Sequence, residues 1–221
     1  MSTILENTAN TNVLYLDKNI EQSVVLEGLT WDSYTRFLEA FPESHAVHFA
    51  YDKGKLEIMT LSYEHENYNR LLADIFTNIA LEFGIEYTNA GSVTLQREDL
   101  KKGFEPDSSF YVENEPLIRG KKRIILPNDP PPDLTIEIDI KSSSLDRMGI
   151  FAEIGINEVW RFDGEKFEIL ILNQNKQYRK SFESNVLPNV TSNLLLSFIE
   201  ESFELPHSVL IRKVRNWARN R

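Results

Sequence analysis

Apolar side chains recur along this chain with two different periods, and the switches between them mark out its elements. Residues 30–41, TWDSYTRFLEAF, place apolar positions at helical spacing, with Thr30 as a candidate N-cap and Pro42 as the stop. Residues 45–61, HAVHFAYDKGKLEIMTL, alternate instead and read as a hairpin around Asp52-Lys53-Gly54. The period of 3.6 returns at Tyr68, Leu71, Leu72, Ile75, Phe76, Ile79 and Phe83. This predicts an amphipathic helix over 63–83, capped by Ser62 and closed by Gly84. Strands are predicted over 85–96, 104–112 and 133–141, the last two separated by a loop that ends in Pro130, Pro131 and Pro132. A short helix over 145–155 follows, then strands over 157–164 and 166–178 joined at Asp163-Gly164, then helices over 194–203 and 209–218. From residue 63 the order is helix, three strands, helix, strand.

Residues 1–24 are polar and without periodicity, so they are expected to form a flexible N-terminal segment, with 25–221 as one domain. A hydrophobic fraction of 41% and an aromatic fraction of 11% suit a folded globular protein. The absence of Cys excludes a disulfide framework and thiolate metal sites, and a cytoplasmic home is the simplest expectation. The first residues lack the pattern of a secretory signal, and no apolar run of membrane-spanning length occurs. The net charge of -10 opposes binding to a phosphate backbone. Arg212, Lys213, Arg215, Arg219 and Arg221 make the C-terminus locally basic, either as a nucleic-acid contact or as the solvated face of a helix.

The chemistry concentrates in DLTIEIDIK, residues 133–141. On a strand, Leu134, Ile136, Ile138 and Ile140 share one face, and Asp133, Thr135, Glu137, Asp139 and Lys141 share the other. Glu137 and Asp139 then stand roughly 6.5–7 Å apart, and carboxylates so close repel unless a cation lies between them. Mg²⁺ is such a cation. A half-exposed antiparallel strand would show the same alternation. Upstream, Pro106 cannot donate to a ladder, so it marks an edge or a bulge that can re-aim Asp107 toward Glu137 and Asp139. Lys141 continues the acidic row. His65 and Glu66 open the long helix, and Glu57 lies on the hairpin. These three are weaker site candidates, since acids at a helix start commonly serve its dipole. His45, His48 and His207 have no partner at metal-ligand spacing, and Trp160 and Phe162 read as core rather than as a base-stacking platform.

Pro106-Asp107 followed by Asp139-Ile140-Lys141 resembles the motif of the PD-(D/E)xK nuclease superfamily, and the element order matches its core. The run PPDLTIEIDIKSSSLDR with IFAEIGINEVWRFDG, and KLEIMTLSYEHE upstream, resembles the Uma family of bacterial restriction-endonuclease-like proteins over about residues 30–180. The resemblance implies an α/β, restriction-endonuclease-like mixed sheet with an N-terminal helix-hairpin addition and C-terminal helices. It implies Asp107 and Glu137 as metal ligands, Asp139 as a further ligand or support, and His65 as the family's histidine. The family's lysine often lies on the following helix, where this chain has Arg147; Lys141 stands where relatives often carry a small hydroxyl residue.

The function expected is a Mg²⁺- or Mn²⁺-dependent endonuclease hydrolysing DNA, working as a homodimer, with Asp107, Glu137, Asp139, Lys141 and Arg147 at the site. Lys141 is ranked ahead of Arg147 because an ammonium can shift its pKa and a guanidinium cannot. The alternative is a catalytically inactive, dimeric nucleic-acid- or protein-binding module on the same fold.

Overall fold

A computed structural model of the protein describes residues 21–41, 47–140 and 145–221. In chain order its elements are β1 (Gln22–Leu26), α1 (Trp31–Ala40), β2 (Val47–Asp52), β3 (Lys55–Thr60), α2 (Tyr63–Phe83), β4 (Thr88–Asn89), β5 (Leu95–Arg97), β6 (Lys102–Phe104), β7 (Ser108–Tyr111), α3 (Glu115–Ile118), β8 (Leu134–Ile138), α4 (Arg147–Ile154), β9 (Glu158–Phe162), β10 (Phe167–Leu172), β11 (Tyr178–Ser181), α5 (Ser192–Glu201) and α6 (His207–Arg219).

Local chemistry accounts for most boundaries. The Thr30 and Ser62 side chains accept from the backbone of Ser33 and His65 and open α1 and α2. Gly84 closes α2 at φ 65, a left-handed conformation that a Cβ would disfavour. Lys53 and Gly54 both have positive φ, as a two-residue hairpin between paired Asp52 and Lys55 requires.

The strands form two sheets, in the orders β1-β3-β2-β6-β5 and β11-β10-β9-β8-β7-β4. The expected core is realised as α2, β4, β7, β8, α4 and β9. The parallel pair is β8 with β9, joined through α4. Leu134, Ile136 and Ile138 are buried against Leu72, Ile75, Phe76 and Ile79 of α2, with Ile140 partly buried beside them. Each such side chain contributes about 1.5–3 kcal/mol. The opposite face of the second sheet is covered too: Val159 and Leu170 pack with Ile150, Phe151 and Ile154 of α4 and with Ala50 and Phe104 of the first sheet. The outer face of the first sheet carries α1, through Tyr34, Phe49, Tyr51 and Leu56.

Several sequence expectations are corrected. The span 85–96 is not one strand: β4 belongs to the second sheet and β5 to the first. The span 104–112 divides in the same way between β6 and β7, because Pro106 lies where the chain crosses from one sheet to the other. Pairing of the third strand ends at Ile138, short of residue 141, and Lys141 lies outside the described residues. The loop before it contains α3, and the span 166–178 turns at residues 173–176 into β10 and β11. The N-terminal segment expected to be flexible to residue 24 includes Glu21, which is buried, and the start of β1, which pairs with β3. Much of the basic C-terminus is used internally: Arg215 and Arg219 bind Glu82 of α2, and Lys213 binds Glu201 of α5.

Candidate active site

Asp107 owes its position to the crossing between sheets. It follows Pro106 and precedes β7, whose pairing of Ser108 with Ile136, carried one residue further, sets Asp107 opposite Glu137. Two contacts pin its main chain: Asn69 Nδ2 donates to its carbonyl at 3.0 Å, and Ser108 Oγ donates to Asn69 Oδ1 at 2.7 Å. The Asp107 side chain turns to the end of β8, where Oδ2 accepts from the Ile138 N–H at 2.7 Å.

The charged face of β8 does not look to solvent. Thr135 is fully buried and Glu137 is 3% exposed, so this is not the half-exposed strand that alternation alone would allow. The inner face of the first sheet closes over it. Register fixes what that face presents: His48 pairs with Met59 and Ala50 with Glu57, while Val25 of β1 pairs with Glu57. His48, Glu57, Met59 and, by alternation back along β1, Glu21 therefore point the same way.

Each meets a charge from the second sheet, α2 or α4. His65, in the first turn of α2 and fully buried, has Nδ1 3.0 Å from Glu21 Oε2 and Nε2 2.9 Å from Asp107 Oδ1. His48 Nδ1 lies 3.5 Å from the same Asp107 oxygen. Arg147, the first residue of α4, reaches Glu57 Oε2 at 3.3 Å, Glu137 Oε2 at 3.4 Å and Met59 Sδ at 3.2 Å. Among the described residues, Glu137 Oε1 and Asp107 Oδ1 are buried without an aligned hydrogen bond.

The electrostatics follow from this packing. Burial alone would lower the His65 pKa, but Asp107 and Glu21 outweigh it and push it up to about 10, which favours the charged ring. Burial would raise Asp107, but facing His65 and His48 holds it below the usual carboxylate range. Glu137 is pushed up to about 8, first by burial and then by the Asp107 charge, against a smaller pull from Arg147. Glu21 and Asp107 contact His65, and Glu57 and Glu137 contact Arg147, so the cluster joins four buried carboxylates to two basic side chains. Burial of Glu137 beside Asp107 favours its protonated form.

Asp139 stands at the rim. Its Oδ2 takes Arg161 Nε at 3.1 Å and Nη2 at 2.5 Å. Asp139 and Arg161 line, with Glu137 and Arg147, a cleft of about 270 Å³ that opens the buried cluster to solvent. Glu66, its side chain 32% exposed and paired with Arg70 at 3.1 Å, lines a second cleft together with His48 and Asp107. Trp160 and Phe162 are core residues.

The structure thus brings together Asp107, Glu137, Arg147, His65 and Glu57, with Asp139 at the edge. Sequence reasoning missed His48, Glu21 and Arg161. Strand alternation puts His48 in phase with Ala50, but only the docking of one sheet on the other supplies Asp107 as its partner.

Among the described residues no three His, Asp or Glu side chains converge as a ready-made metal cage. Two buried carboxylates, each with an oxygen that makes no aligned hydrogen bond among the described residues, nonetheless suit a divalent metal ion. Mg²⁺ keeps several waters and commonly takes one or two carboxylates plus substrate phosphate. Asp107 and Glu137 are the residues that fit.

The family model Uma2, described as "Putative restriction endonuclease", matches residues 31–205. Among solved structures, the chain resembles a crystal structure of "a putative nuclease belonging to DUF820 from Anabaena variabilis". The TM-score is 0.52 at 16% identity, and the match covers 76% of this chain and 98% of that one. At that identity the likeness is one of fold. No curated protein matches the chain.

Proposed function

The chain belongs to the Uma2 restriction-endonuclease family, and from that premise we propose that it is a divalent-metal-dependent endonuclease that hydrolyses DNA phosphodiester bonds at the Asp107–Glu137 site. The observation that carries this reading is the convergence of two buried carboxylates, Asp107 and Glu137, at the end of β8, each with an oxygen that makes no aligned hydrogen bond among the described residues. A protein interior holds such charge when a cation completes it.

Asp107 and Glu137 would hold Mg²⁺ or Mn²⁺, which supplies an activated water and offsets charge on the phosphate. Asp139 supports the site from the rim, where its ion pair with Arg161 borders the cleft by which a phosphate enters. Arg147 stabilises the phosphate oxygens electrostatically; permanently charged, it does not act as a base. Lys141 is a second candidate for the cation of the transition state. His65 and His48 hold Asp107 from behind, Glu57 holds Arg147, and Glu66 has no role at the reacting centre. The same reading carries a homodimer, since cutting both strands takes two sites.

Calorimetry with Mn²⁺ and a plasmid-nicking assay test the proposal together. One ion should bind the native chain and none Asp107→Ala, and nicking should require the ion. Equal binding in both proteins would discard this site.

One observation favours the alternative, an inactive binding module. Arg147 already bridges Glu57 and Glu137, so a guanidinium sits beside the carboxylate that the metal needs. Native protein that fails to nick DNA in Mn²⁺ would favour that reading.

A further inference from the structure

Two carboxylates face one histidine in this protein, and the outer one comes from the N-terminal side of the family-matched region. Glu21 directly precedes β1 and is buried by its pairing with β3; the family match begins at residue 31. Its Oε2 lies 3.0 Å from His65 Nδ1, and the opposite ring nitrogen lies 2.9 Å from Asp107 Oδ1. An imidazole set between two carboxylates needs a proton on both nitrogens to meet both. The three groups form a chain of close contacts from the start of β1 through α2 to the candidate metal ligand.

The geometry gives Glu21 a purpose. Held by Glu21 at one ring nitrogen, His65 is fixed in direction and presents its other nitrogen to Asp107 Oδ1. Carboxylate–histidine pairs behind metal ligands orient and tune them in this way.

Resting on the metal site proposed above, we propose that Glu21 is a positioning residue of that site: through His65 it sets the orientation of Asp107, and β1 is therefore part of the functional unit.

Calorimetric titration of the full chain with Mn²⁺ tests this without recourse to activity. Glu21→Gln, nearly isosteric but uncharged, should weaken Mn²⁺ binding about 10–100-fold. Glu21→Asp keeps the charge and should bind more tightly than Glu21→Gln. Glu27→Gln removes a charge just beyond the same strand, where Glu27 makes only an exposed pair with Lys55, and should bind as the native chain does. Native affinity in Glu21→Gln alongside lost binding in Asp107→Ala overturns this inference and leaves the metal site standing. No Mn²⁺ binding by the native chain overturns both.

Discussion

Arg147 lies between two buried carboxylates, Glu57 and Glu137, and single substitutions there separate charge from geometry. Arg147→Ala leaves both acids without their cation. It should destabilise the protein by about 3–5 kcal/mol, the usual effect of breaking a buried pair, in chemical denaturation. It should also lower turnover about a hundredfold or more if the guanidinium meets the transition state. Arg147→Lys retains the charge and supplies the residue that relatives often carry there, so nicking activity should persist or rise. Lys141→Ala is the matching variant. Loss of turnover there with Arg147→Ala unaffected would give the role to Lys141, as reasoning from the strand alone prefers.

Elements are held to one another by apolar stripes, and one pair has an added ionic clamp. Glu82 in the last turn of α2 accepts from Arg219 Nε at 2.7 Å and Arg215 Nε at 2.5 Å on α6. Hydrogen bonds from Arg219 and then Arg215 hold its carboxyl below the ordinary value of 4.5. A carboxylate with a lowered folded pKa contributes stability above its unfolded pKa and loses it as pH falls through the folded one. The docking of α6 should therefore weaken on acidification below about pH 4.5. Thermal melts of Glu82→Gln should be lower than native melts at neutral pH and converge with them in acid. A constant gap across that range would remove Glu82 from the account.

For the whole molecule, the charge cluster sits between the two sheets, so whatever completes it should tighten their union. Binding to the folded state alone adds about 2.7 kcal/mol at a hundred times Kd. Saturating Mn²⁺ should raise the Tm of the native chain and leave Asp107→Ala unmoved, and a chelator should reverse the gain. An equal rise in both proteins would mean the ion stabilises some other place. The net charge of -10 belongs to this scale too. Three of the five C-terminal basic residues are paired with Glu82 and Glu201, so that helix is a weak candidate for DNA contact, and the cleft beside Arg147 and Arg161 is the better one.

Sequence alone determined what is local. Caps at Thr30 and Ser62, the stop at Gly84, the turn at Lys53-Gly54 and the apolar faces of α2 and β8 follow from side-chain chemistry and from periods of 3.6 and 2. Pro106 beside Asp107, and Glu137 and Asp139 among apolar residues, were legible because a residue without an N–H and acids on an apolar strand are each local anomalies. Periodicity says which residues share a face and nothing of what that face meets. Only the packing of one sheet on the other decided that the acidic face of β8 is buried, that His48 and Glu21 converge on Asp107, and that Arg147 bridges Glu57 and Glu137. Those partners lie tens of residues apart, and the crossings at Gly91 and Pro106 that join the sheets divide what alternation reads as continuous strands. Charge in such a site is set by burial and by opposing groups, so it is a property of the tertiary structure.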